Sequence, residues 1–190
     1  MVHAGLEVGN FKEALATLLR MDLSSESSSQ TLKEFLELVD GDPKLLTVGE
    51  KIVYGELPED VSVYPLDHAS EVLETLKEKY LLALVTRGRP HEQLLKLKNA
   101  GLDSTIFSKI VISEQEDKKS SYKEVLDELN MTPDKTIVCG DRIKRDLEPA
   151  KALGCKTIHM LWGRGLVSTG ATSDVDYTIR HLSQIQEIIQ

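Results

Sequence analysis

At 190 residues, 41% hydrophobic and 28% charged, the chain carries enough apolar material for one sizeable core, or one core with a small helical annex. Its formal charge of -8, with Lys and Arg scattered along the sequence, leaves no basic footprint and argues against a nucleic-acid partner. Apolar runs such as Tyr80 to Val85 are far too short to cross a bilayer, and no Lys-flanked apolar leader opens the sequence.

The first sixty residues read as helices. Asn10 to Leu19 places Phe11, Ala14, Leu15, Leu18 and Leu19 on one side of a helix, and the serine-rich stretch Ser24 to Ser29 reads as a polar loop. Thr31-Leu32-Lys33-Glu34 has the form of a capping box, opening a helix whose apolar face is Leu32, Phe35, Leu36 and Val39. Asp40 to Pro43 then reads as a helix-ending turn.

From Pro65 onward, helix-period and strand-like segments alternate. Asp67 to Tyr80 carries Ala69, Val72, Leu73 and Leu76 on one helical face, and Leu81 to Val85 is a short apolar strand. Pro90 opens a second helix that stops at Gly101. Lys109 to Ile112 is a strand, Ser120 to Leu129 a helix, Thr136 to Cys139 a strand, and Asp146 to Leu153 a helix closed by Gly154. Lys156 to Met160 and Asp176 to Ile179 complete the strands, and Leu182, Ile185, Ile188 and Ile189 mark a last amphipathic helix. Strict alternation of this kind predicts an α/β fold with right-handed crossovers and a doubly wound parallel sheet. The expected organisation is a helical region over 1–57 and an α/β core over 58–190. Cys139 and Cys155 lie in or beside β-like segments and read as reduced core thiols of a cytoplasmic protein.

Chemistry concentrates at the carboxyl ends of the strands, where open α/β sheets build their ligand sites. The strand ending at Thr86, Arg87 and Gly88 brings a hydroxyl and backbone N–H groups to a helix start, which suits a phosphate oxygen; taken alone, Thr86 is equally a cap for the following helix. Lys118 and Lys119 sit between a strand and a helix and read alone as a solvated pair. Gly140-Asp141-Arg142-Ile143-Lys144-Arg145-Asp146 delivers two carboxylates just past a strand, which reads either as a turn with a helix cap or as a metal site. His68, His91 and His159 have no mutual ligand spacing, so a zinc-type site is not expected. Trp162 to Gly165 reads as a loop over the crevice with Arg164 solvated.

The order Thr, Lys, Asp, Asp at successive strand ends resembles the haloacid dehalogenase superfamily of phosphohydrolases, in a form with a helical cap. Tyr64-Pro65, Pro149 to Gly154 and Val175-Asp176-Tyr177 are similar to family text as well. The resemblance implies a phosphatase acting on a small phosphorylated metabolite with Mg²⁺. It gives Asp141 as the direct ion ligand, Asp146 as a holder of the ion through water or of the lysine, Thr86 as donor to the phosphoryl group, with Arg87 and Gly88 beside it, and Lys118 as the cation that neutralises nucleophile and phosphate. Lys118 is preferred to Lys119 for its spacing to Tyr122. The substrate would be chosen by the helical half.

The family's first motif, a strand ending in Asp-x-Asp, has no clear counterpart. Only Asp40 and Asp42 spell it, as a displaced nucleophile loop, and their flanks are helical. The segment that carries it is expected upstream of Met1 or has diverged. A sheet without that central strand leaves unpaired edges, to be filled by Met1 to Val8, by Glu34 to Val39, by reordering, or by a strand from a partner chain. An inactive relative that keeps the phosphate and metal cradle as a binding module is the alternative reading, and a receiver-like doubly wound domain a third.

Overall fold

The computed structural model describes residues 1–25, 27–113 and 118–189. The chain divides into two compact units, Met1–Glu56 and Leu57–Gln190. The first consists of three helices, α1 (Phe11–Ser24), α2 (Ser28–Leu38) and α3 (Leu45–Val53). Asn10 starts α1, its side chain accepting the N–H groups of Lys12 and Glu13. The face expected on α1 splits into two stripes. Ala14, Leu18 and Met21 pack with Leu6, Phe35 and Leu36, whereas Phe11, Leu15, Leu19 and Leu23 are exposed.

The predicted capping box is not used. Helix α2 begins four residues earlier, with the Ser27 hydroxyl accepting from Gln30 N–H, and Thr31 is buried inside it, bonded to Ser27 O and the Asp22 carboxylate. A Thr in a helix can turn its hydroxyl back to a carbonyl four residues earlier, so its place in the sequence pattern does not by itself make it a cap. The serine-rich stretch is correspondingly short as a loop, because Ser24 ends α1 and Ser28 begins α2.

In the second unit the order is α4 (Ala69–Lys77), β1 (Ala83–Arg87), α5 (Pro90–Asn99), β2 (Lys109–Ser113), α6 (Lys118–Glu128), β3 (Ile137–Gly140), α7 (Glu148–Lys151), β4 (Lys156–Met160), β5 (Tyr177–Ile179) and α8 (Ile185–Ile188). All pairings are parallel. Helices lie on both faces. Val72 and Leu76 of α4 and Ile185 of α8 pack on Ile158, Met160 and Ile179, while Tyr122 and Leu126 of α6 and Ala150 of α7 pack on Val85, Val138 and Cys155.

Among the described residues the strands form two sheets: β1 pairs with β2, and β3, β4 and β5 form the second. Neither in-chain segment expected to add a strand is one: Val2–Ala4 is a 3-10 turn, and Glu34 to Leu38 belongs to α2. Both have backbone groups satisfied by helical bonds, which a strand would have to break. In β3 Ile137 is 37% exposed and Cys139 is also exposed, while four of the five residues of β4 are buried. Cys155 is a buried thiol as expected, whereas Cys139 is not.

Candidate active site

The carboxyl ends of β1 and β3 open into a crevice of about 740 Å³ lined by Thr86, Arg87, Lys118, Asp141 and Asp146, all in the second unit. Gly88 is not part of the lining; it holds β1 to β2 by donating its N–H to Ser113 O at a φ of 141°, which a side chain would strain. Thr86 does not cap α5. The N-cap position is Arg89, and the Thr86 hydroxyl instead donates to Gln93 Oε1 at 3.3 Å.

Asp146 is the pivot. It is buried, and Oδ1 accepts from Lys118 Nζ at 2.7 Å while Oδ2 accepts from the Arg142 N–H at 2.9 Å. A π-type helical turn over Ile143–Leu147, ahead of α7, replaces the simple helix start expected at Asp146 and swings its side chain back over the end of β3. That approach requires Gly140, since a Cβ there would lie 2.5 Å from Asp146 Cβ. Of the two tasks left open for Asp146, the geometry has it holding the lysine. Lys118 is the first residue of α6, and its ammonium also reaches Val85 O at 3.4 Å. Lys119 lines the crevice from a more exposed position.

Asp141 is half-buried beside Asp146. Burial pushes its carboxyl above the usual aspartate range, and the neighbouring Asp146 charge adds to the rise. His159, buried on β4, lies with Nε2 3.1 Å from the Asp141 carbonyl, and Ser168 Oγ accepts the Ile143 N–H, so a histidine read only as lacking zinc-ligand spacing and a serine not singled out in the sequence fix the loop between the aspartates. A carboxylate crowded in this way favours a cation. The donor type suits Mg²⁺, which takes one or two protein carboxylates and completes its shell with water and phosphate oxygens. Among the described residues no group of three or more His, Cys, Asp and Glu side chains is placed to hold a metal ion.

The charge of the crevice reverses that of the chain. Among the described residues, Arg87, Lys118, Lys119, Arg142, Lys144, Arg145 and Arg164 line it, seven cations against the three carboxylates Asp141, Asp146 and Glu148, in a protein of net charge -8. Arg164 thus faces the crevice instead of being merely solvated, on a 3-10 turn over Gly163–Leu166. The arrangement can hold an anion among cations and fixed dipoles. Asp40 and Asp42 lie in the helical unit. Asp40 takes the left-handed conformation (φ 48°) after α2, and the Asp42 carboxylate accepts the Lys44 N–H at 2.9 Å.

A sequence model described as Haloacid dehalogenase-like hydrolase matches residues 15–160. The chain is 28% identical over 200 residues to a glyceraldehyde 3-phosphate phosphatase of Methanocaldococcus jannaschii, covering 100% of this chain and 85% of that protein. It is 30% identical over 124 residues to the protein of the same name from Pyrococcus furiosus, with 63% of this chain and 51% of that one covered. Among solved structures, the HAD-hydrolase YfnB of Bacillus subtilis, bound to magnesium, superimposes with a TM-score of 0.68 at 17% identity, over 100% of this chain and 87% of that one. A predicted phosphoglycolate phosphatase from Haemophilus somnus gives 0.68 at 18% identity, covering 100% and 86%.

Proposed function

The chain belongs to the haloacid dehalogenase-like hydrolase family, and we propose that its crevice is the phosphoryl-handling half of a Mg²⁺-dependent phosphatase acting on a small phosphorylated metabolite. The observation that carries this reading is the convergence of Thr86, Lys118, Asp141 and Asp146 on one cation-rich crevice. Phosphoryl transfer to a carboxylate brings two anions together, and its barrier falls when fixed cations and donors meet the charge. In this reading the Thr86 hydroxyl turns from Gln93 to a phosphoryl oxygen, and Lys118, held by Asp146, offers its remaining protons to the same group. Asp141 holds the ion. When bound, Mg²⁺ supplies a Lewis acid that shields phosphoryl oxygens. The surrounding Arg and Lys residues favour a dianionic ligand over a neutral one. The phosphatases named above make glyceraldehyde 3-phosphate the first compound to test.

Among the described residues, the carboxylates lining the crevice are Asp146, held by Lys118 and the Arg142 N–H, Asp141, which this reading gives to the ion, and Glu148, which is exposed. The second reading, a phosphate and metal cradle without turnover, is favoured by Asp146 being tied on both oxygens. Release of phosphate from glyceraldehyde 3-phosphate with and without Mg²⁺, alongside calorimetric titration of inorganic phosphate, separates the two. Mg²⁺-dependent release lost in Thr86→Ala supports the first, saturable phosphate binding without release supports the second, and absence of both refutes the site.

A further inference from the structure

Helix α1 carries two apolar faces, and only one of them is packed. Ala14, Leu18 and Met21 lie against Leu6, Phe35 and Leu36, while on the opposite side Leu15, Leu19 and Leu23 are 42%, 59% and 43% exposed. A helix that is apolar on both sides is ordinarily covered on both. The outward residues fall into a seam. Lys12, Ala16, Leu19 and Leu23 recur at intervals of four, three and four, the spacing of the inward positions of a two-helix coil. Glu13 and Arg20 flank that seam on one side, Leu15 and Asp22 on the other. Asp22 is turned to α2, where its carboxylate accepts from the Ser28 and Thr31 hydroxyls. Lys12, Glu13 and Arg20 are exposed and enter no ion pair among the described residues; the Arg20 guanidinium donates to Thr17 of its own helix.

We propose that this face is the interface of a homodimer, in which α1 lies antiparallel against α1 of a second copy about a two-fold axis. The charges choose both the occupant and the direction. In an antiparallel pair each flanking row meets the same row of the other copy, so Glu13 lies against Arg20 of the second copy and Arg20 against its Glu13. One sequence thereby supplies two matched ion pairs. Along the seam Ala16 faces Leu19 of the second copy, a small side chain against a large one. Lys12 faces Leu23, with its stem on the leucine and its ammonium at the last turn of the opposing helix, where a cation meets the carbonyl end of the dipole. A parallel pair sets Lys12 against Lys12 and leaves Glu13 and Arg20 unmatched. The seam is about three turns long, short of the roughly 800 Å² per partner of a standard interface, so the dimer is a weak one. Nothing in this pairing depends on the phosphoryl-transfer reading.

Sedimentation equilibrium of the full chain from about 5 to 500 μM tests the pairing, and the mass should rise from one chain toward two with half-association between about 10 and 300 μM. Leu19→Lys, at an exposed position where circular dichroism should show the helices intact, should abolish association. Glu13→Arg and Arg20→Glu should each weaken it about tenfold, because each turns two attractive contacts into two repulsive ones. The double variant carrying both changes should return to within about twofold of the unaltered chain, since it restores opposite charges across the axis. A chain that stays single at the highest concentration overturns the proposal and leaves the face to another occupant; sedimentation of that single chain with phosphatidylserine vesicles would give it to a lipid surface. A dimer indifferent to Leu19→Lys places the interface elsewhere and overturns the proposal too. So does a double variant no tighter than its singles, which excludes the antiparallel direction.

Discussion

Replacing Lys118 by Met removes the positive partner of a buried carboxylate that has another carboxylate beside it. The ion pair is 2.7 Å long, with side chains 18% and 9% exposed, and at an effective dielectric near 20 its gross attraction is about 6 kcal/mol. Roughly half of this is offset by taking the ammonium out of water, so Lys118→Met should cost about 3 kcal/mol. For a chain of this length that corresponds to a fall in Tm of about 6–12 °C. Asp146→Asn keeps the shape and one acceptor, and in combination with Lys118→Met it removes both charges. The double variant should then be no less stable than Lys118→Met, giving a coupling of about 2 kcal/mol in a urea-unfolding cycle. A single-variant cost below about 1 kcal/mol, or additive effects, would refute the view that Lys118 and Asp146 form the charged hub of the crevice.

Gly140→Ala forces a methyl group to within 2.5 Å of Asp146 Cβ; with Asp146 tied on both oxygens, calorimetry should record a loss of about 1–3 kcal/mol. Asp141→Asn should lower Mg²⁺ affinity by more than the roughly 10–100-fold typical of losing an outer-shell partner, and an unaltered metal titration would remove Asp141 from the site. Asp176 is held below the ordinary aspartate value of 3.8 first by the Lys151 ammonium and then by the N–H and hydroxyl of Thr157. Its folded form binds fewer protons than the unfolded chain, so its stabilisation is complete above that value and lost as pH falls through the depressed one; Asp176→Asn should flatten the acid limb of the stability curve, and an unchanged limb would count against the pairing. Ile158→Ala, at a fully buried position of β4, should cost about 2–5 kcal/mol, whereas Ile137→Ala on the open edge of β3 should cost about 1 kcal/mol or less, and equal costs would mean that β3 is covered.

Most of the second unit was legible because its signals are local. Alternating apolar runs and helix-period faces marked the strands and helices to within a few residues, and Pro90 at the start of α5 behaved as its chemistry dictates. What escaped was decided by tertiary contact. Thr31 looked like a cap and became a buried hydroxyl, because Ser27 was available four residues before the expected cap. Thr86 read as a cap or as a phosphate donor, and the structure decides against capping because the N-cap is Arg89 and its hydroxyl goes to Gln93. The cationic surplus of the crevice was hidden by scatter, with Arg87, Lys118, the basic residues between the two aspartates and Arg164 far apart in sequence. His159 and Ser168 left no signal beyond their polarity.

The strand sequences themselves carry the clearest mismatch between pattern and structure. Leu84-Val85 and Ile137-Val138-Cys139 are continuous apolar runs of the kind found in parallel strands covered on both faces and paired on both edges. β4, with a similar run, is treated in that way; β1 and β3 are not, although the helices that should cover them are in place. A chain selected to leave these edges in water would blunt them with Lys, Pro or a bulge, as exposed edges are ordinarily blunted, and neither strand carries a Pro or a Lys. The residues of β1 and β3 are thus those of central strands, and one lysine, reaching from α6 to Val85 O and Asp146, bridges the interval at its carboxyl end.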